Sequence, residues 1–128
     1  MTLLLDTHAL LGAVASPDEL SERVRGLVLD RANTLVVSSA SAWEIATKHR
    51  LGRLPTAEVL LSAFADHLGE LGADELPISI RHALAAGAFA SPHRDPIDRM
   101  LAAQALLEGL PLVSRDPIFA EFPVEILW

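Results

Sequence analysis

The sequence lacks cysteine entirely and has one lysine, two tryptophans and four phenylalanines among its 128 residues. Without cysteine the chain forms no disulfide, thiolate metal site or cysteine nucleophile, so any bound metal must have oxygen or imidazole ligands. No apolar run reaches the roughly 18 residues that a membrane-spanning helix needs. Met1 leads directly into leucines without the basic segment of a signal peptide. We therefore expect a cytoplasmic protein without membrane association.

The net charge is −7, which argues against the broad basic surface typical of nonspecific nucleic-acid binding. The segment KHRLGR, with Lys48, Arg50 and Arg53, is a local exception that can flank an acidic centre. The sequence shows no repeat, low-complexity tract or Gly/Ser linker, so we expect a single domain over residues 1–128.

Short apolar runs alternate with helical patterns along the chain. The predicted strands are Leu3–Leu5, Leu35–Val37, Leu112–Val113 and Val124–Leu127, with a weaker one at Leu76–Ile80. The predicted helices are Ala9–Ala15, Ser21–Arg31, Ser41–Leu51, Ala57–Leu71, Ile80–Ala90 and Pro96–Glu108, with Gly52 and Gly109 as C-terminal stops. This alternation predicts an α/β fold with a mostly parallel sheet covered on both faces.

Four carboxylates share one local setting near the starts of predicted helices: Asp6, Glu44, Asp98 and Asp116. Three of them follow predicted strands, and the fourth opens the helix that leads to the strand at Leu112. The carboxyl ends of parallel strands form one edge of a sheet, where ligands bind at a topological switch point. Convergent carboxylates repel one another and need a cation, and oxygen ligands alone suit Mg²⁺ or Mn²⁺. This predicts a metal site for phosphodiester hydrolysis.

Each acid also has a purely structural interpretation as a helix cap. Asp6 can cap the first helix, Ser41 with Glu44 fits a capping box, and Asp95 and Asp116 each precede a proline that can open a helix. If all acids were caps, the chain would be a non-catalytic binding module. A third hypothesis is a phosphatase or phosphotransferase with Asp6 as nucleophile, although the usual D-x-D pattern is missing and no lysine lies near the last strand.

The segments LLLDTHALL, VSSASAWEIATKHRLGRL and HRDPIDRMLAAQALLEGLPLVSRD together resemble the PIN-domain ribonucleases, specifically the VapC-type toxins of bacterial toxin–antitoxin pairs. The resemblance covers essentially the whole chain. It implies a three-layer α/β/α sandwich and a Mg²⁺- or Mn²⁺-dependent endoribonuclease that inhibits translation by cleaving tRNA, rRNA or mRNA. It also implies a cognate antitoxin and a homodimer.

The resemblance also implies roles for individual residues. Asp6 and Asp98 are the principal metal ligands, whereas Glu44 and Asp116 complete the cluster directly or through water. Ser114 holds Asp116 or a metal-bound water. The segment HRDPID offers Asp95 as well, but Asp98 stands immediately ahead of RMLAAQA, as the family's helical acid does, and Asp95 precedes proline and makes the better cap.

Several other side chains have two competing interpretations. Arg99 and Arg115 either contact a substrate phosphate or form ion pairs with neighbouring acids. Lys48 is expected to pair with Glu44 one helical turn earlier. We expect the histidines His8 and His93 to be packing or capping groups. Trp43 and Trp128 can stack on bases, but we expect Trp43 to pack in the core or in a subunit contact.

Overall fold

The computed structural model describes residues 1–55 and 57–128, and within them it has five strands and seven α-helices. The strands are β1 Thr2–Leu5, β2 Thr34–Ser38, β3 Ala73–Leu76, β4 Leu112–Val113 and β5 Ile126–Leu127. The helices are α1 Thr7–Ala15, α2 Glu22–Leu29, α3 Ser39–Arg50, α4 Ala57–Leu61, α5 Phe64–Leu71, α6 Ile80–Ala88 and α7 Pro96–Glu108. Two short 3₁₀ helices lie at Pro17–Glu19 and Pro117–Glu121. None of the helices in this part of the chain is long and apolar enough to cross a membrane.

The five strands form one sheet in the order β3-β2-β1-β4-β5, and every pairing is parallel. The chain moves from β1 through β2 to β3 on one side, then crosses over to β4 and β5 on the other. The topological switch point therefore lies between β1 and β4, and the loops that follow these strands open a crevice there.

Both faces of the sheet are buried, as the continuous leucines of β1 predict for a parallel sheet. Leu3 and Leu5 face a core formed with α1, α2, α4 and α5. Leu4, between them, faces a second core that includes Leu101 of α7 and Phe119. Successive residues of a strand point to opposite faces, so the α/β/α layering expected from the alternation of elements is confirmed.

Two predicted elements differ from the observed ones. The weak strand predicted at 76–80 lies instead at Ala73–Leu76, because Pro77 has no N–H for the ladder and Ser79 caps α6. The single helix predicted over 57–71 is two helices. Ala63, with φ −152° and ψ 55°, is outside the helical region between them.

Candidate active site

The four acids selected from the sequence all line one cavity of about 110 Å³ at the carboxyl end of the sheet. Asp6 follows β1 directly, and Asp116 lies three residues after β4 on the other side of the switch point. Glu44 reaches the cavity from α3 and Asp98 from the first turn of α7. The remaining lining residues are Thr7, His8, Lys48, Asp95, Leu101 and Phe119. The predicted convergence of the four side chains is therefore observed.

Asp6 is a buried carboxylate that also caps α1. Its side chain is 4% exposed and accepts a hydrogen bond of 2.7 Å from the backbone N–H of Ala9. Burial raises the pKa of Asp6 above the ordinary value for an aspartate, against the opposing hydrogen bonds from Ser114 and Ala9. The nearby Glu44 raises this pKa further. The leucine run therefore ends on a carboxylate that caps a helix and faces a cavity of like charges.

Glu44 does not belong to a capping box, so that structural alternative is wrong. Helix α3 begins at Ser39 and is capped by Ser38, whose side chain accepts from the N–H of Ala40. Ser41 lies inside the helix, where its Oγ accepts a hydrogen bond of 3.2 Å from Thr7 Oγ1 of α1. Glu44 instead pairs with Lys48 one turn later, at 3.1 Å, as predicted.

Asp95 and Asp98 have different hydrogen-bond partners, and the cap predicted at Asp95 is observed. Asp95 is the N-cap of α7, and its Oδ1 accepts from the N–H groups of Ile97 and Asp98 at 2.8 and 3.3 Å. Asp98 Oδ2 contacts His93 Nε2 at 2.7 Å. Burial raises the pKa of Asp98, with additional raising by Asp95 and Glu44, whereas His93 opposes the shift.

Asp116 and Ser114 form the fourth corner of the cavity. Asp116 caps the 3₁₀ helix Pro117–Glu121, with its Oδ1 3.0 Å from the N–H of Ile118. The backbone N–H of Asp116 in turn donates to Ser114 Oγ at 3.0 Å. Ser114 is buried, and its side chain lies close enough to Asp6 to lower the pKa of that carboxyl. Ser114 therefore connects the acids that follow β1 and β4, at the switch point.

Arg99 forms no ion pair with an acid within residues 1–55 and 57–128, so that interpretation of it is wrong. Its guanidinium donates to five backbone carbonyls at the end of α6 and in the following loop. All five of its N–H donors are thereby used. Arg115 is exposed, and within residues 1–55 and 57–128 it forms no ion pair.

His93 lies edge-on to Phe122, as expected for a packing group, whereas Trp43 does not pack in the core and its subunit contact stays a prediction. His93 is a direct neighbour of Asp98, and the spacing H-x-x-x-x-D around the cap was the signal available in the sequence.

Trp43 is 63% exposed and lines a second groove with Leu51, Arg53 and Ile97. This groove shares Glu44, Lys48 and Asp95 with the acidic cavity. Trp128, in contrast, packs against the core.

Each of the four acids has a partner that either donates a hydrogen bond to it or carries a basic group. Asp6 and Asp116 accept backbone N–H groups, whereas Glu44 pairs with Lys48 and Asp98 with His93. Among the described residues, no three His, Asp or Glu side chains are arranged as a ready-made metal site. The donor chemistry nevertheless fits a hard divalent cation, because four carboxylates line one cavity and two of them are held against unfavourable burial.

The sequence of this chain is similar to a known family and to two named relatives. The family model described as PIN domain matches residues 3–125. The chain belongs to the PIN-domain family. A curated relative of this PIN domain, "Ribonuclease VapC22" of Mycobacterium tuberculosis, is 31% identical over 121 residues, covering 90% of this chain and 87% of the relative. "Ribonuclease VapC16" of the same organism is 42% identical over 67 residues, which cover 52% of this chain but only 46% of that protein.

Solved structures share the fold of this PIN domain at low sequence identity. VapBC2 from Rickettsia felis, bound to a DNA fragment from its promoter, has a TM-score of 0.72 and 18% identity, covering 99% of this chain and 98% of that chain. FitAcB from Neisseria gonorrhoeae has a TM-score of 0.68 and 22% identity, covering 100% of this chain and 97% of that chain. These similarities establish the arrangement of strands and helices.

Proposed function

We propose that this PIN domain is a Mg²⁺- or Mn²⁺-dependent endoribonuclease, the toxin of a toxin–antitoxin pair that inhibits translation by cleaving RNA. The observation that carries the proposal is the convergence of Asp6, Glu44, Asp98 and Asp116 on one cavity at the switch point of the sheet. The relatives named ribonucleases support the reaction class. Two acids with raised pKa values in one cavity are typical of a functional site.

Asp6 and Asp98 are the proposed principal ligands, and Glu44 and Asp116 complete the donor set directly or through water. A divalent ion bound there supplies an electrophile that neutralises phosphodiester charge and lowers the pKa of water. Its charge also lowers the cost of keeping the buried carboxylates ionised. This explains why a fold would hold Asp6 and Asp98 in surroundings that favour their protonated forms.

The chain's own groups orient the reacting atoms. In hydrolysis, a water oxygen bonds to phosphorus, the bond from phosphorus to the leaving ribose oxygen breaks, and the water loses a proton. Glu44 and Asp116 line the cavity, and in this proposal they hold the water and accept its proton, while the leaving ribose oxygen takes up a proton from solvent. Ser114 fixes the loop of Asp116 and contacts Asp6, so it keeps two acids in register.

The groove beside Trp43 is the proposed path of the RNA strand toward the acidic cavity. The exposed indole offers a stacking surface for an unpaired base, and Arg53 in the same groove offers charge to a phosphate. The shared walls of groove and cavity would place a base next to the scissile phosphate. This local basic edge reconciles RNA binding with the net charge of −7.

A cognate antitoxin is the proposed protein partner, and a homodimer is the proposed assembly. Structural neighbours include a protein described as a toxin–antitoxin complex from Klebsiella pneumoniae, with a TM-score of 0.61 and 18% identity. A basic side chain from such a partner would fit the charge of the acidic cavity.

The capping interpretation is confirmed as geometry for Asp6, Asp95 and Asp116 but does not account for the site. Glu44 sits inside α3, and Asp98 contacts His93. If the acids served only as helix caps, their side chains would not need to line the same cavity. A cap and a ligand role are compatible in one residue, because a carboxylate has two oxygens and about four lone-pair positions.

The direct test is cleavage of purified tRNA and rRNA, with Mg²⁺ or Mn²⁺ and with EDTA. We expect cleavage to require metal and to fail in Asp98→Asn. The matched control is Asp95→Asn, which lies three residues before Asp98. Asparagine can still cap α7, so this variant should remain active. Full activity in EDTA, or equal activity in wild type and Asp98→Asn, would overturn the proposal.

A further inference from the structure

The guanidinium of Arg99 joins α7 to the end of α6 and to the loop that follows it. Nε donates to the carbonyl of Ala86 at 2.8 Å, and Nη2 donates to those of Gly87 and Phe89 at 3.3 and 2.7 Å. Nη1 donates to the carbonyls of Ser91 and His93 at 2.8 and 2.9 Å. One side chain therefore fixes five backbone positions between residues 86 and 93.

This arrangement depends on the shape of the arginine side chain as well as on its charge. The planar fork presents five N–H donors in fixed directions, whereas a lysine ammonium has only three and no fork. The carbonyls at the end of a helix lack intrahelical partners and attract a cation. Arg99 satisfies two carbonyls of the last turn of α6, and the loop carbonyls then converge on the same group.

The last carbonyl of this set belongs to His93, which contacts one of the acids that line the cavity. The carbonyl of His93 accepts from Arg99, and the imidazole Nε2 of His93 lies 2.7 Å from Asp98 Oδ2. Additional contacts hold the same loop: Ser91 Oγ accepts from the N–H of His93 and donates to Glu121 Oε2. The His93 ring also lies edge-on to Phe122, with centroids 6.4 Å apart.

We infer that Arg99 is a positioning residue for the active site, which acts through the 86–93 backbone and His93 to orient the carboxylate of Asp98. The inference rests on the proposed function for its effect on cleavage. Its geometric content, that Arg99 places His93 on Asp98, holds independently of that function. Arg99 is not among the residues that line the cavity, and all of its side-chain hydrogen bonds go to backbone carbonyls between residues 86 and 93, so its guanidinium can reach the site through that loop.

The test is a double-mutant cycle with Arg99→Lys and His93→Ala. Arg99→Lys should lower kcat for RNA cleavage by about 10- to 100-fold, the range for groups that orient metal ligands, with KM nearly unchanged. In the His93→Ala background the same substitution should lower kcat no further, because the group it positions is gone. The matched control is Arg81→Lys on α6, an exposed arginine, which should leave kcat unchanged.

A readout independent of cleavage is the ¹⁵N chemical shift of His93 Nε2 at one fixed pH. We expect this resonance to move toward that of an unpaired imidazole in Arg99→Lys and to stay in place in Arg81→Lys. An unchanged resonance, or additive losses of kcat in the cycle, would overturn the inference. If wild type cleaves no RNA, the proposed function fails, and the resonance still decides the role of Arg99.

A second variant covers the case in which Arg99→Lys does not fold. Ser91→Ala removes the hydroxyl contacts to His93 and Glu121 but keeps the carbonyl that Arg99 binds. We expect its His93 resonance to remain near that of wild type, because Arg99 still holds the loop. If Ser91→Ala displaces the resonance fully, the loop is positioned by Ser91, and the inference is wrong.

Discussion

The two ends of helix α7 carry the same chemical pair in different surroundings. At its start, Asp98 contacts His93 at 2.7 Å, and at its end, Glu108 contacts His82 at 2.8 Å. His82 is almost completely buried, and its Nδ1 accepts the N–H of Ser79 in a capping box at the start of α6. His93 and Asp98 are both partly open, at 23% and 20% side-chain exposure.

The difference between the two pairs lies in what surrounds the carboxylate. Asp98 shares a cavity with Asp6, Glu44 and Asp116, whereas Glu108 pairs with a histidine whose other ring nitrogen already serves a helix cap. The His82–Glu108 pair therefore stabilises the packing of α6 and α7, whereas the His93–Asp98 pair belongs to a charged site. We expect substitutions at the two ends to separate activity from stability.

The largest expected effect is the loss of RNA cleavage when an acid of the cavity is replaced. Asp6→Asn should lower the rate of RNA cleavage by more than about 100-fold, because it removes a proposed metal ligand, while Asn keeps the cap on α1. The measurement is the initial rate at saturating Mn²⁺, with folding checked by circular dichroism. Glu108→Gln is the control from the other end of α7, and it should cleave at the wild-type rate. Equal losses in both variants would show that the two ends do not differ.

Replacing the two histidines should affect activity at one end of α7 and stability at the other. His93→Ala should lower kcat by about 10- to 100-fold, because Asp98 loses the group that orients it. His82→Ala should mainly lower the unfolding temperature, since it deletes a buried capping group. Paired measurements of kcat and thermal unfolding on both variants test this. A normal kcat in His93→Ala, or a loss of kcat confined to His82→Ala, would reverse the assignment.

Stability should depend on pH through the buried acids when metal is absent. Because the folded pKa of Asp6 is raised above 3.8, the folded protein keeps this proton at pH values where the unfolded chain has lost it. Stability from this group is thus greatest at low pH and falls as pH rises from the pKa of Asp6 in the unfolded chain through its pKa in the folded protein.

Asp6→Asn should lack this loss, so its stability relative to wild type should rise with pH and then level off above the folded pKa. Urea unfolding at a series of pH values in EDTA measures this difference, and added Mn²⁺ should reduce it by stabilising wild type alone. A stability difference that shrinks as pH rises would contradict the raised pKa.

The smallest expected effect belongs to the cap at the start of α7. Asp95→Ala should cost about 0.5–2 kcal/mol of stability, because the N–H groups of Ile97 and Asp98 lose their acceptor. Asp95→Asn should retain most of that stability. Denaturant unfolding of both variants provides the comparison. A similar cost in both would mean that the charge of Asp95, more than its hydrogen bonds, stabilises the helix.

Much of the fold could be predicted because local signals were strong. Pro96 and Gly109 bound α7 at the predicted residues, and Gly109 has the left-handed φ of 64° that ends a helix. Strand β3 was misplaced because it is an edge strand with exposed acids, Asp74 and Glu75, and carries little apolar pattern. The break at Ala63 has no glycine or proline to mark it.

The places of Asp6, Asp98 and Asp116 were predictable because each follows a strand or opens a helix, whereas Glu44 lies inside α3, the helix that directly follows β2. The surroundings of the site were not. The contacts of Arg99 with residues 86–93 and the exposure of Trp43 depend on how α6, α7 and α3 pack, and no local pattern encodes them. Sequence spacing therefore indicated the proposed ligands, and tertiary packing defined the groups that orient them.

The central claim is that the acids of this cavity bind a divalent cation, and calorimetric titration with Mn²⁺ tests it most directly. We predict that wild type and Glu108→Gln bind with the same affinity, whereas Asp98→Asn binds at least about tenfold more weakly. Equal affinity in Asp98→Asn and wild type, or no binding by wild type, would contradict the account.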